Sequence, residues 1–125
     1  MLSDSEIYAV LPASDLGRAR GFYKDKLGLE PAEERGDGLI YQTKGGTKIL
    51  LYETQFAGTA QNTAMSWVTN DLDTEMADLR SKGVVFEDYD FPGLKTENGV
   101  ATYEDGRGAW FKDSEGNILA VTQMN

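Results

Sequence analysis

The candidate groups for chemistry in this sequence are phenols, hydroxyls and carboxylates. Among its 125 residues there is no histidine and no cysteine. The commonest general base, metal ligand and pH switch are therefore absent together. Ser–His triads, histidine zinc sites and two-His-one-carboxylate iron sites are excluded. Thiolate nucleophiles, Cys-type zinc sites and disulfides are excluded as well. Tyr8 or Tyr52 could act as a general acid. Glu53 or Glu104 could act as a base if burial raised its pKa, but nothing in the sequence pairs these groups. Gly36-Asp37-Gly38 and Gly106-Arg107-Gly108 do not open helices, so they read as turns rather than phosphate loops. The acidic run Glu87-Asp88-Tyr89-Asp90-Phe91 before Pro92-Gly93-Leu94-Lys95 has two readings. One is a gate that attracts a cation, with Phe91 and Leu94 as lid residues; the other is a solvated charge run.

Charge limits the partners. Twenty-one acidic and 12 basic residues give a formal net charge of −9. Nucleic acid needs a basic footprint and is not expected. A negative field favours neutral or cationic ligands, or simply keeps the chain soluble. The length fits one domain over residues 1–125. No apolar run approaches the ~20 residues of a membrane span. The start, Met1-Leu2-Ser3-Asp4-Ser5-Glu6, lacks the basic and apolar regions of a signal peptide. A cytoplasmic protein with no membrane partner is expected.

The elements that must position these residues form a repeat. Ile7 to Leu16 reads as a short strand followed by a helix start, and Thr63 to Leu72 has the same shape. Asp15 and Asp71 stand where a helix N-cap is wanted. The first helix is expected over about Leu16–Lys26, with Leu16, Ala19, Phe22 and Tyr23 on its apolar face and Gly28 as its cap. The second is expected over about Leu72–Lys82, with Leu72, Met76 and Leu79 inward and Gly83 after it. Strands are expected at Leu29–Glu34, Gly38–Thr43 and Lys48–Glu53, then at Val84–Asp88, Val100–Glu104, Ala109–Asp113 and Ile118–Gln123. Lys44-Gly45-Gly46-Thr47 and Asp113-Ser114-Glu115-Gly116-Asn117 are the hairpin turns. The expected class is α+β: two βαβββ modules, over about residues 4–54 and 63–125, joined by a linker at Thr54–Asn62. Their curved mixed sheets would carry helices outside and leave a concave inner pocket. A module of this size is marginal alone, so the two must pack together or against another chain.

Three motifs carry a family resemblance. They are Ser14-Asp15-Leu16 leading to Phe22-Tyr23-Lys24-Asp25-Lys26-Leu27-Gly28-Leu29, Asp71-Leu72-Asp73 leading to Leu79-Arg80-Ser81-Lys82-Gly83-Val84, and Phe111-Lys112-Asp113-Ser114-Glu115-Gly116-Asn117-Ile118-Leu119. In this order the chain resembles the vicinal-oxygen-chelate superfamily, which spans glyoxalase I, extradiol dioxygenases, fosfomycin-resistance enzymes and bleomycin-resistance proteins. Ser114 stands where the family's third motif usually has proline. The resemblance implies a homodimer. It also implies four inner-strand positions where the family's enzymes hold a divalent metal with His, Gln or Glu. Here those positions are Tyr8, Leu50, Ala64 and Ala120. Leucine and alanine offer no lone pair, and a phenol of ordinary pKa near ~10 is a poor lone ligand. No metal and no cofactor are expected.

With Tyr8 pointing inward, alternation brings Val10 and Pro12 with it, then Lys48, Leu50 and Tyr52, then Ala64, Ser66 and Val68, then Ile118, Ala120 and Thr122. Leu11, Ile49, Leu51, Met65, Trp67, Leu119 and Val121 would pack under the helices. Tyr41 is expected across the first hairpin from Leu50. Either Trp110 or Phe111 faces inward near Ala120, and three-residue hairpin geometry favours Trp110. The candidate ligand-binding set is thus Tyr8, Tyr41, Leu50, Tyr52, Ala64, Ser66, Trp110, Ala120 and Thr122. Such a lining either receives a flat, partly hydrophobic small molecule or fills itself. The leading reading is metal-independent binding of a small organic molecule, as in the bleomycin-resistance branch, which Asn62–Val68 also resembles. The alternative is a glyoxalase- or dioxygenase-like enzyme (lyase or oxygenase) whose active site uses no metal or an all-oxygen metal site.

Overall fold

The computed structural model describes residues 1–36 and 38–125; Asp37, in the turn expected at Gly36-Asp37-Gly38, lies outside the described residues. After a short 3-10 turn at Leu2–Asp4 come β1 (Tyr8–Ala13), α1 (Leu16–Leu27), β2 (Glu33–Arg35), β3 (Gly38–Gln42) and β4 (Lys48–Glu53). The second half has β5 (Thr63–Val68), α2 (Leu72–Ser81), β6 (Asp90–Phe91), β7 (Leu94–Glu97), β8 (Val100–Tyr103), β9 (Gly106–Lys112) and β10 (Ile118–Met124). The expected α+β class and doubled module are what the chain adopts.

Local chemistry sets the helix ends. The Asp15 carboxylate accepts the Arg18 amide at 2.9 Å and that of Asp71 accepts the Thr74 amide at 3.1 Å, each satisfying an orphan donor of a first turn. Gly28 ends α1 with a φ of 68°, a left-handed cap that a residue with a Cβ rarely adopts.

The strands form a four-stranded sheet in the order β1-β4-β3-β2 and a six-stranded sheet in the order β5-β10-β9-β8-β7-β6. In each, the strand before the helix runs parallel to the module's last strand: Val10 pairs with Leu50, and Ser66 with Ala120. Both hairpins close identically. Thr43 N–H donates to Thr47 O and Gly46 N–H to Thr43 O; Asp113 N–H donates to Asn117 O and Gly116 N–H to Asp113 O. Each is a three-residue loop with glycine at the positive-φ place.

Three expectations change. The strand expected at Val84–Asp88 is only a single bridge between Phe86 and Phe111. The one at Leu29–Glu34 shrinks to Glu33–Arg35. The loop expected around Pro92-Gly93 is instead the turn of the β6–β7 hairpin, which takes in Asp90-Phe91 and has no counterpart in the first module.

Leu11, Ile49 and Leu51 of the first sheet, Phe111, Leu119 and Val121 of the second, and Tyr23, Leu72 and Met76 of the helices belong to one hydrophobic cluster. Met65 and Trp67 pack against it partly buried. Fully burying one such leucine contributes roughly 1.5–3 kcal/mol. Since both sheets turn their helix-side faces to this shared core, their other faces point outward. Among the described residues no helix is long and apolar enough to cross a membrane.

Candidate functional site

Strand parity divides the candidate residues. The outward face of the first sheet carries Tyr8, Val10, Leu50 and Tyr52. Tyr8 and Tyr52 are each 37% exposed and Val10 54%, whereas their chain neighbours Leu11 and Leu51 are buried. The Lys48 ammonium lies 5.4 Å from the Tyr8 ring centroid and 3.8 Å from the Glu6 carboxylate. Contact with the Tyr8 hydroxyl, then the Tyr8 and Glu6 charges, raises the Lys48 pKa. Gly38 lies beneath Leu50, so that a Cβ there would sit 2.9 Å from Leu50 Cδ1.

On the second sheet, Ser66 and Thr122 present their hydroxyls 3.2 Å apart beside Ala120. Trp110 pairs with Ala120 and its indole N–H donates to Thr63 Oγ1 at 3.0 Å. The far edge of the indole rests over Gly108, where a Cβ would meet Cη2 at 3.4 Å. Phe111 takes the opposite side, buried in the core and stacked on Trp67 with centroids 6.2 Å apart. A depression of about 100 Å³ runs beside Trp110 between Tyr103, Gly108, Thr122 and Met124.

Two candidate residues are placed differently from expectation. Tyr41 pairs with Ile49, and it is Ile40 that pairs with Leu50. Tyr41 is therefore in the core, fully buried, its ring 5.4 Å from that of Tyr23. Burial raises its phenol pKa, and the hydroxyl has no hydrogen-bond partner among the described residues. Ala64 is the extra residue of a bulge: Thr63 pairs with Ile118 and Met65 with Leu119, which leaves Ala64 with no partner on β10. Thr63 makes the contact to Trp110 instead. Sequence reasoning also missed Tyr103, on the same side as Gly108 and 44% exposed, and Tyr89, whose ring stands edge-on to Trp110 at 5.9 Å.

A divalent ion does not fit the donor set. Tyr8, Leu50, Ala64 and Ala120 supply one phenol and hydrocarbon. Among the described residues no group of three His, Cys, Asp or Glu side chains could hold a metal ion.

The strand before the helix is an edge strand in each sheet, β1 in the first and β5 in the second. Between them is a cleft of about 640 Å³ lined by Ile7, Ala9, Met65, Trp67 and Val68, of which Ile7 is 88% and Val68 73% exposed.

The fold and motifs define a class, and the comparisons agree. The chain matches the family profile of the Glyoxalase/Bleomycin resistance protein/Dioxygenase superfamily over residues 7–121, and it belongs to that superfamily. Among solved structures it is similar to TnmS3, an antibiotic binding protein from Streptomyces sp. CB03234, at 25% identity and a TM-score of 0.73, covering 97% of this chain and 96% of that one. It is also similar to a glyoxalase/bleomycin resistance protein from the same Streptomyces strain, at 25% identity and a TM-score of 0.69, covering 95% and 100%. A lactoylglutathione lyase from Agrobacterium tumefaciens shares the fold at 17% identity and a TM-score of 0.70, covering 95% and 92%. A sequence search of curated proteins returns no match.

Proposed function

We propose that this chain binds a small, partly hydrophobic organic molecule without a metal, in the manner of bleomycin-resistance-type sequestration proteins. The observation that carries this reading is the donor set: phenol and hydrocarbon stand at the positions where the family's enzymes hold metal ligands. Recognition is what such a lining can do, since Lewis-acid catalysis needs an ion held by several lone pairs. The likeness to TnmS3, an antibiotic binding protein, supports the same reading.

The ligand lies between two copies of the chain. Tyr8, Leu50 and Tyr52 of one copy face Ser66, Trp110, Ala120 and Thr122 of the other. Except for Ala120, which is buried, each set is at least partly exposed in a single chain, and the two sets point away from each other. Open edge strands and the mainly apolar cleft between them, which Thr43, Thr47, Lys48 and Ser66 also line, support pairing with a second copy. Phenol and hydroxyl handles orient the ligand while the rings supply contact area.

Fluorescence of Trp67 and Trp110, titrated with cationic aromatic drugs in the presence of a chelator, tests the reading. Saturable quenching is expected. A flat signal up to millimolar drug would overturn it.

A further inference from the structure

The second module carries an arm that the first lacks. Beyond β8, the chain adds β6 and β7, turned at Pro92-Gly93, where Gly93 has a φ of 83°. The arm is tied at its base. Asp88 Oδ1 accepts the Thr96 hydroxyl at 2.8 Å and the Gly99 amide at 2.9 Å. The Tyr89 amide donates to Thr96 Oγ1 at 2.8 Å, and Arg80 Nη2 donates to Asn98 O at 2.8 Å.

From Phe86 to Phe91 the side chains make their contacts on two sides. Phe86 is buried against Phe111, and Asp88 turns to Thr96 and Gly99. Tyr89 and Phe91 take the opposite side, the side of Trp110. Tyr89 meets Trp110 edge-on at 5.9 Å and stacks on Phe91 at 5.8 Å and 27°. Three rings therefore run in a row from the outward face of the second sheet to the tip of the arm. Phe91, the last, is 59% exposed and buries little for the fold. Glu87 stands two residues before Tyr89, and after burial its charge is the second cause that raises the Tyr89 phenol pKa.

We propose that Tyr89 and Phe91 are specificity-determining residues that extend the ligand face, so that the site selects planar molecules of several fused rings bearing positive charge over single-ring or anionic ones. The proposal rests on the small-molecule reading above and deepens it. Edge-on and offset-stacked rings offer π-faces to a flat ligand that runs past Trp110. Ring quadrupoles and the Glu87 carboxylate both favour a cation over an anion there.

Three probes separate the parts: proflavine, a tricyclic cation; benzamidine, a single-ring cation; and 2-anthracenecarboxylate, a tricyclic anion. Affinities are read by calorimetry on the full chain and on Phe91→Ala and Tyr89→Leu. The expected order is proflavine tightest in the unsubstituted chain. Phe91→Ala should weaken proflavine roughly fivefold while leaving benzamidine unchanged. Tyr89→Leu should weaken proflavine at least as much. Equal affinities for proflavine and benzamidine, or a Phe91→Ala variant that keeps the unsubstituted affinity, overturns the arm while the small-molecule reading stands. Anthracenecarboxylate binding as tightly as proflavine overturns the charge selection. If Phe91→Ala changes the sedimentation coefficient, Phe91 is an interface residue and the proposal fails. Absence of binding by all three overturns both readings. Circular dichroism confirms that each variant is folded.

Discussion

Glu115 of the second module holds Arg18 of the first: Arg18 Nε lies 2.8 Å from Oε2, and Nη2 lies 3.0 Å from Oε1. The same carboxylate accepts the Ser14 and Asp15 amides, each at 3.0 Å, at the start of α1. A side chain from the β9–β10 turn thus caps the helix of the other module and fixes how the two halves of the chain meet. The linker reinforces this, since Gly116 packs so closely on Gly58 that a Cβ would come within 2.9 Å of the Gly58 Cα.

Acid should loosen that joint. Burial works against ionisation of Glu115. Hydrogen bonds from Arg18, Ser114 and the Asp15 amide, together with the Arg18 charge, outweigh it and hold the pKa down to about 2. Because the folded pKa is below the unfolded value of ~4.3, the stabilisation is complete above that value and is lost as pH falls toward the folded one. Allowing for screening through the half-exposed Arg18, it is worth about 2 kcal/mol at neutral pH. Urea unfolding of Glu115→Gln at pH 7 should show a loss of that order, and the gap to the unsubstituted chain should narrow between pH 5 and pH 2. A gap constant across that range contradicts the account.

Two core tyrosines should respond oppositely to loss of their hydroxyls. Tyr23 donates to the buried Asp113 carboxylate at 2.8 Å, and burial, followed by the Asp113 charge and this bond, raises its pKa. Tyr23→Phe removes a donor from a buried charge and should cost about 1.5–3 kcal/mol. Tyr41 donates to no described group. Tyr41→Phe should be neutral or stabilising by up to about 1 kcal/mol. Thermal unfolding of the pair reads the difference directly, and equal destabilisation would contradict the burial of an unpartnered Tyr41 hydroxyl.

If a second copy covers β1 and β5, a charge at that edge should split the assembly. Val68, on β5 and 73% exposed, is the position to charge. Val68→Asp should sediment near the single-chain mass of 13.8 kDa, while the unsubstituted chain sediments at twice that mass. It should bind ligand more weakly, because each copy keeps only half a site. A monomeric unsubstituted chain that still binds ligand would overturn the two-copy site.

Trp110 is the ring around which the second sheet's outward face is built. Trp110→Ala should lower ligand affinity roughly tenfold or more. Trp67→Phe, which keeps the core stack on Phe111, should leave affinity within about twofold. Equal effects of the two would show that the outward face is not the binding face.

Legibility followed range. Helix ends were readable because Asp15, Asp71 and Gly28 act within one turn of chain. Sheet faces were readable because alternation is local, and it correctly separated Leu11, Leu51 and Leu119 from Tyr8, Tyr52 and Thr122. Register was not always readable. Taking Lys44–Thr47 as the first hairpin's loop puts Tyr41 opposite Leu50. The loop that forms, Lys44-Gly45-Gly46, shifts pairing by one residue and brings Ile40 there instead. One residue of slip exchanges the two faces of a strand, and this sent Tyr41 to the core. The bulge at Ala64 has no signature in a run as uniform as Thr63–Val68. The β6–β7 hairpin was hidden because its strands are short and its residues acidic, so composition spoke louder than the Pro92-Gly93 turn.

The central claim is that the outward faces recognise a molecule with phenol, hydroxyl and carbon and hold no divalent ion. Elemental analysis of the protein, purified without chelator and equilibrated with zinc, nickel or manganese, tests it most directly. The account predicts metal well below one ion per chain and no calorimetric binding of those ions above the level of surface carboxylates. One tightly held ion per chain, lost on Tyr8→Phe, would contradict it.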